Sequence, residues 1–484
     1  MCPATYYSTN NKDEIVNFET ALLKGMASDF GLYMIARKDI PKLSPEKIKE
    51  MKNMSYPQIA FEVLNPYLGS EIPEADLKKL LNDAYNEDKI PTEVQHIVGK
   101  THIMWLTQGP TYSFKDYAAR FLGRALNYFL KKRGLKRTVI VATSGDTGGA
   151  VADALHGLES INMIVFFPKG SISERQRKQM TTLQKNIYAF EVDGDFDVCQ
   201  ALAKRLMADT EFSKITFGDE NAITSANSIS LGRLLPQAVY PFFGFSRVSN
   251  GEEMIASIPS GNFGDMMGTL IAKEMGLPIS NIICGVNENT EFPEFLETGK
   301  YIVKPSKKSP SSAMIVSHPS NLIRLIDFYG GHMFDERDKN NKVVKQGVID
   351  KMPDLEAMRN DLFSMGVTNS QHYETMREVY DEFGVILDPH GAVGWKTLEI
   401  FLKGEHNKLA VIYETADPGK FPLDVEKAIG LTPAVPEGML KQEKLEERKF
   451  SIENPSEQTD QGLKLTDKQV EEAKEKIKEI FKNV

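Results

Sequence analysis

The chain is 484 residues long and 41% hydrophobic, enough to bury large cores and to build about two to four domains of ordinary size. Its 58 basic and 67 acidic residues leave a net charge of -9, which argues against nucleic acid or an anionic membrane surface as partner and for chemistry on a small molecule. The three cysteines, Cys2, Cys199 and Cys284, are odd in number and too far apart for metal-ligand spacing, so neither a disulfide framework nor a metal site is expected.

No basic stretch followed by an apolar core opens the chain, and no apolar run has the length to span a bilayer, so a cytoplasmic protein is expected. Residues 1–95 read as a mainly helical N-terminal domain, with amphipathic stretches near Phe18 to Met26 and Pro73 to Tyr85. A catalytic region, 96–484, follows. Within it the apolar run Val139 to Ala142 enters a glycine-rich turn, Thr143 to Gly149, which opens a helix through His156. Similar strands are expected at Ile161 to Phe167, Ile187 to Val192, Met254 to Ile258 and Leu409 to Tyr413, with helices near Phe196 to Met207 and Asp265 to Met275. This alternation argues for an α/β protein whose parallel sheets are covered by helices on both faces. A smaller subdomain is placed at about 135–220 and a larger one in the remainder. The charged segment Pro436 to Lys464 reads as a surface excursion, and Thr466 is the expected N-cap of a terminal helix with Val470, Ala473, Ile477 and Ile480 on one side.

Five segments carry candidate chemistry. In the turn-rich stretch from Thr107, Lys115 precedes a helix over Tyr117 to Leu130; the helix dipole and neighbours such as Phe114 and Phe121 favour the neutral amine that attacks an aldehyde. An exposed lysine beside Asp116 is the ordinary alternative. Ser144, Asp146 and Thr147 sit in a strand-to-helix loop that offers hydroxyls and N–H groups to a small carboxylate, or simply caps the helix. Asn227 and Arg233 flank the start of an apolar helix, where an arginine meets an oxyanion or an ordinary carboxylate. Gly261, Asn262, Phe263, Gly264 and Asp265 follow a strand and precede a helix, a setting that suits a phosphate dianion. Their spacing is neither the dinucleotide fingerprint nor the P-loop, and an empty tight turn is the alternative. Thr415 places a hydroxyl at the carboxyl end of a strand, beside a turn on Asp417-Pro418-Gly419.

Taken together, these segments resemble the threonine synthase family, pyridoxal-phosphate-dependent enzymes with the tryptophan synthase β-subunit fold. The resemblance covers nearly the whole chain, from Tyr7-Ser8-Thr9 and Gly31-Leu32-Tyr33 through Gly109-Pro110-Thr111 and Phe114-Lys115-Asp116 to Asp388-Pro389-His390 and Thr415. It implies fold type II, with two parallel-sheet α/β domains behind the N-terminal domain, and pyridoxal 5'-phosphate as cofactor. It implies Lys115 as the Schiff-base lysine, Gly261 to Asp265 as the cofactor-phosphate loop and Thr415 as the partner of the pyridine nitrogen. Ser144, Asp146 and Thr147 match the loop at the substrate's amino-acid end, and Asn227 and Arg233 match residues that hold the substrate phosphate. The implied reaction turns O-phospho-L-homoserine and water into L-threonine and phosphate, in a monomer or homodimer. A phospholyase or dehydratase releasing 2-oxobutyrate and an inactive binding homologue are the rivals. Gln108, Ser230 and Asp417 depart from the family's more usual His, Asn and His.

Overall fold

A computed structural model describes residues 4–86, 88–143, 145–339, 341, 343–459 and 462–482. They form two compact units. One comprises Met1–Leu22, Met26–Ala118 and Ser228–Ala434; the other comprises Leu23–Gly25, Ala119–Asn227 and Val435–Val484.

In the first unit six strands make one sheet, in the order Leu362–Gly366, Ile279–Val286, Met254–Pro259, Ala410–Glu414, Thr101–Trp105, Glu93–Val98. Neighbours are parallel except the last pair, which is antiparallel. Every residue of Met254–Pro259 and Ala410–Glu414 is buried, which is why these strands read as continuous apolar runs. Glu93–Val98 is an edge strand with no fully buried residue, and its polar sequence gives no such signal. The helix Pro389–Leu402 is capped by Asp388, whose carboxylate accepts the Gly391 N–H at 2.7 Å. Trp395 and Leu398 of that helix share a core with Ile103, Ile255, Ile283 and Ile412 of the sheet.

The N-terminal amphipathic stretches are the helices Phe18–Lys24 and Glu74–Ala84. A third helix, Tyr56–Leu68, starts in a capping box made by Ser55 and Gln58. Beside them is a small antiparallel sheet of Ile15–Val16, Tyr6–Ser8 and Tyr33–Met34, strands too short to show a period in sequence.

The second unit is built on five parallel strands, in the order Lys449–Ile452, Ile187–Val192, Ile161–Pro168, Arg137–Ala142, Ile223–Ser225. Thr466 caps the helix Asp467–Phe481, and its Val470, Ala473 and Ile477 pack with Ile164, Phe166 and Phe190. The segment expected as a surface excursion supplies the strand Lys449–Ile452, because register against Ile187–Val192 gives four otherwise unremarkable residues a ladder to join. Cys199 and Cys284 are buried and unpaired, and burial pushes both thiols up, so neither is a poised nucleophile. Among the described residues no group of side chains could hold a metal ion, and no helix is long and apolar enough to cross a membrane.

Candidate functional site

In the first unit, three loops at the carboxyl ends of strands converge on Lys115. The strand Met254–Pro259 runs into Ser260 to Asp265, and the helix Gly264–Glu274 follows. Phe263 takes the left-handed conformation, φ +61°, and is buried, turning the chain sharply into the helix. Asp265 closes the loop from inside: its Oδ1 accepts from the Ser260 hydroxyl and from the Met266 N–H, at 2.9 Å for the latter. Burial raises the pKa of this carboxyl, against these donors and the nearby positive charge of Lys115. Among the described residues, no acceptor takes the N–H groups of Gly261, Asn262, Phe263 or Gly264. A Cβ on Gly261 would lie 2.9 Å from the Ala313 carbonyl oxygen, so only glycine lets the backbone run this close. Successive free N–H groups at a helix start, with a glycine for close approach, make a fitting seat for a phosphate.

Lys115 opens the helix Lys115–Arg133, two residues earlier than its apolar period suggests. It is half-buried, with its ammonium 5.0 Å from the centroid of the Phe114 ring. The loop before it is laced to the segment after Ala410–Glu414: the Phe114 N–H donates to the Thr415 carbonyl at 2.9 Å, the Asp417 N–H to the Tyr112 carbonyl at 3.1 Å, and the Lys420 ammonium to the Thr111 carbonyl at 3.0 Å. Thr111 gives Asp116 both its N–H, at 2.9 Å, and its hydroxyl, at 2.5 Å, while Gly109 has no room for a Cβ against the same carboxylate. The Tyr240 hydroxyl adds a bond of 3.0 Å to the Phe114 carbonyl. These bonds bring Thr415, 4% exposed, into the same neighbourhood as Lys115 and Asp265. Asp417 is occupied by its own turn, accepting the Gly419 N–H at 2.8 Å, and burial raises its pKa. Gln108 is half-buried.

Arg233 also belongs to this unit, buried in the short helix Leu231–Leu234. Burial lowers its pKa to about 10, with Tyr240 and Asp116 acting the other way, so it stays cationic at neutral pH. Ser230, just before it, is 1% exposed, and its hydroxyl has no partner among the described residues.

The second unit holds the other expected loop. Thr143 follows the strand Arg137–Ala142 and its hydroxyl oxygen accepts the N–H groups of Gly145 and Gly148, both at 2.9 Å. Thus Thr143 does the capping that Asp146 or Thr147 could have done. Asp146 is buried and accepts from the Gln176 amide at 3.1 Å; Thr147 is half-buried. Ser144 lies outside the described residues. Asn227, the last residue of its stretch of this unit, is half-buried, and its N–H donates to the Ser225 hydroxyl at 3.3 Å.

Two groups received no role in the sequence reading, and the second was not singled out at all. The Asp388-Pro389-His390 match proves to be part of a buried network: His390 accepts the Ala313 N–H on Nε2 at 3.1 Å, so its Nδ1 carries the proton given to Asp388 at 2.5 Å. Ala313 is the residue whose carbonyl limits the space at Gly261. In the second group, Asn321 and Arg324 bind the backbone carbonyls of Asn262, Ser228 and Ile229, and Ser320 binds the side chains of Asn262 and Ser228; its sequence signal is a polar pair before the apolar helix Leu322–Phe328.

Comparison with known proteins adds independent findings. Residues 5–85 match the family model for the threonine synthase N terminus, and residues 104–413 that for pyridoxal-phosphate-dependent enzymes. A threonine synthase of Pseudomonas aeruginosa is 34% identical over 446 residues, covering 89% of this chain and 92% of the relative. One from Schizosaccharomyces pombe is 34% identical over 467 residues, covering 88% and 89%. The pyridoxal-phosphate-bound threonine synthase structure from Brucella melitensis superposes with a TM-score of 0.86 at 29% identity, over 98% of this chain and 99% of that one. The yeast threonine synthase structure gives a TM-score of 0.86 at 29% identity over 99% of each chain.

Proposed function

The chain belongs to the threonine synthase family of pyridoxal-phosphate-dependent enzymes, and from that membership we propose the roles by which its residues convert O-phospho-L-homoserine and water to L-threonine and phosphate. Lys115 carries the cofactor through its ε-amine, and the N–H groups of Gly261 to Gly264 hold the cofactor phosphate. Asp265 serves from behind by keeping that loop closed. Thr415 meets the pyridine nitrogen with a hydroxyl, which, unlike a carboxylate, does not keep that nitrogen protonated. Bound pyridoxal phosphate supplies the sink for electrons left on substrate carbon.

The Lys115 amine would take the Cα proton and, once that proton is passed on, a proton from Cβ. Phosphate leaves from Cγ and carries off the proton of the incoming water, whose hydroxyl bonds to Cβ, while the two protons removed from Cα and Cβ are replaced at Cγ and Cα. Arg233 presents a planar pair of donors to the departing phosphate, with Asn227 as its companion in binding. Ser144, Asp146 and Thr147 receive the amino-acid end. Nothing in these roles draws on Gln108, and Asp417 is committed to its turn.

The observation that carries this reading is the lacing of the Lys115 loop to Thr415 in the unit where Asp265 closes a loop of free N–H groups. The test is to incubate the enzyme with O-phospho-L-homoserine and to follow phosphate, L-threonine and 2-oxobutyrate together. Equal release of phosphate and threonine is expected; 2-oxobutyrate as the main product would identify a phospholyase instead. Borohydride reduction followed by peptide mapping should place a pyridoxyl label on Lys115, and its absence there would remove the role given to that residue.

A further inference from the structure

We propose that Asn321, held by Arg324, is a positioning residue that braces the cofactor-phosphate loop and the substrate-phosphate segment at once; the inference rests on the roles proposed above for those two stretches. Arg324 is 0% exposed, and all three of its hydrogen-bond partners are uncharged: the Tyr33 carbonyl at 3.0 Å, the Ile229 carbonyl at 2.6 Å and the Asn321 Oδ1 at 2.6 Å. Among the described residues it makes no ion pair, and burial lowers its pKa to about 9. A buried cation is costly, so one retained against three carbonyl-type oxygens needs a reason beyond packing.

The reason is what those bonds orient. With its Oδ1 taken by the guanidinium, Asn321 has its amide nitrogen turned the other way, where it donates to the Asn262 carbonyl at 2.9 Å and the Ser228 carbonyl at 3.3 Å. The Asn321 N–H also donates to the Asn262 carbonyl, at 3.2 Å. Ser320 ties the same two stretches through side chains, with its hydroxyl 2.9 Å from that of Ser228 and 3.2 Å from the Asn262 Oδ1.

In a trans peptide the carbonyl and the next N–H point in opposite directions. Fixing the Asn262 carbonyl on Asn321 therefore aims the Phe263 N–H away from Asn321, as one of the free donors of the phosphate loop. Fixing the Ser228 carbonyl on Asn321 and the Ile229 carbonyl on Arg324 likewise aims the N–H groups of Ile229 and Ser230 away from the brace, on the stretch that leads to Arg233. One side chain thus orients donors in two anion-binding stretches, and both should loosen when it is removed.

The experiment compares full-length holoenzyme carrying Asn321→Ala with wild type. Cofactor retention is read from loss of cofactor absorbance on dilution, phosphate affinity from inhibition by inorganic phosphate, and KM and kcat from threonine release. The expected result is that cofactor and phosphate affinities both fall, each about tenfold, as for one buried hydrogen bond. KM for O-phospho-L-homoserine should rise more than kcat falls. Arg324→Lys, which keeps the charge but not the planar fork, should lie between the two. Ser230→Ala, confined to one stretch, should weaken phosphate and leave cofactor retention unchanged.

Weakening of only one anion by Asn321→Ala, or of neither, overturns the brace. If Asn321→Ala does not fold, Ser320→Ala, which removes one hydroxyl from a half-buried side chain, decides by the same criterion with a smaller paired loss of about threefold. Wild-type enzyme without a pyridoxyl label at Lys115 would overturn the proposed roles and the brace together. A labelled enzyme whose anion affinities ignore Asn321→Ala would overturn the brace alone.

Discussion

Replacing Glu414 by Gln should make the protein more stable, and increasingly so as pH rises. Glu414 is 0% exposed at the end of the strand Ala410–Glu414, directly before Thr415. Its Oε1 accepts the Asp388 N–H at 2.8 Å, while its Oε2 has no partner among the described residues. A Cβ on Gly391 would sit 1.6 Å from that Oε2, so the carboxyl is pressed against the first turn of the following helix. Burial first, and the charge of Asp388 second, raise its pKa well above the ordinary 4.5. The folded protein therefore keeps a proton that the unfolded chain releases near 4.5, and stability present below that pH is lost as pH rises toward the folded-state value. Each pH unit between the unfolded and the folded values costs about 1.36 kcal/mol. Gln is neutral in both states and escapes this cost, less about 1–3 kcal/mol if its amide lacks an acceptor. The assay is urea unfolding of wild type and Glu414→Gln at about pH 5, 6 and 7. The stability difference should shift in favour of Gln as pH rises, by up to about 1.4 kcal/mol per pH unit. A difference independent of pH would mean that Glu414 ionises in the fold as it does in the open chain, and would refute the reasoning.

Gly261→Ala puts a Cβ 2.9 Å from the Ala313 oxygen and so pushes the loop from its wall; cofactor retention should drop by about tenfold or more while the melting temperature changes little, measured by absorbance and calorimetry. Thr415→Asp should retain cofactor but change the partition among phosphate, threonine and 2-oxobutyrate, and unaltered ratios would argue against a role for Thr415 at the pyridine nitrogen.

Much of the α/β framework was legible because parallel strands buried on both faces leave an unmistakable trace, an apolar run ended by a glycine loop. Ile187–Val192 has the bounds that its sequence suggests, and Met254–Pro259 and Ala410–Glu414 differ by a residue. Thr466 is the cap it was expected to be, because a capping box is a local bond between residues three apart. Lys115 and the Gly261 to Asp265 loop were visible as residue types in a suitable order, and the resemblance carried by that order is matched by relatives along nearly the whole chain.

Tertiary structure decided what no local pattern encodes. Thr415 reaches the Lys115 loop through backbone bonds between segments some 300 residues apart, whose sequence says nothing of their register. The closing of the Gly261 to Asp265 loop by its own Asp265, the use of Asp146 by Gln176 and the neutral setting of Arg324 depend on which groups are shut away from water together. An arginine or a carboxylate has the same letters whether it is solvated or buried. By itself, then, the sequence determined the framework and which residues were available for chemistry. The fold decided which carbonyls, carboxyls and cations face one another, because the cost of burying a polar group is set by the partners that packing brings to it.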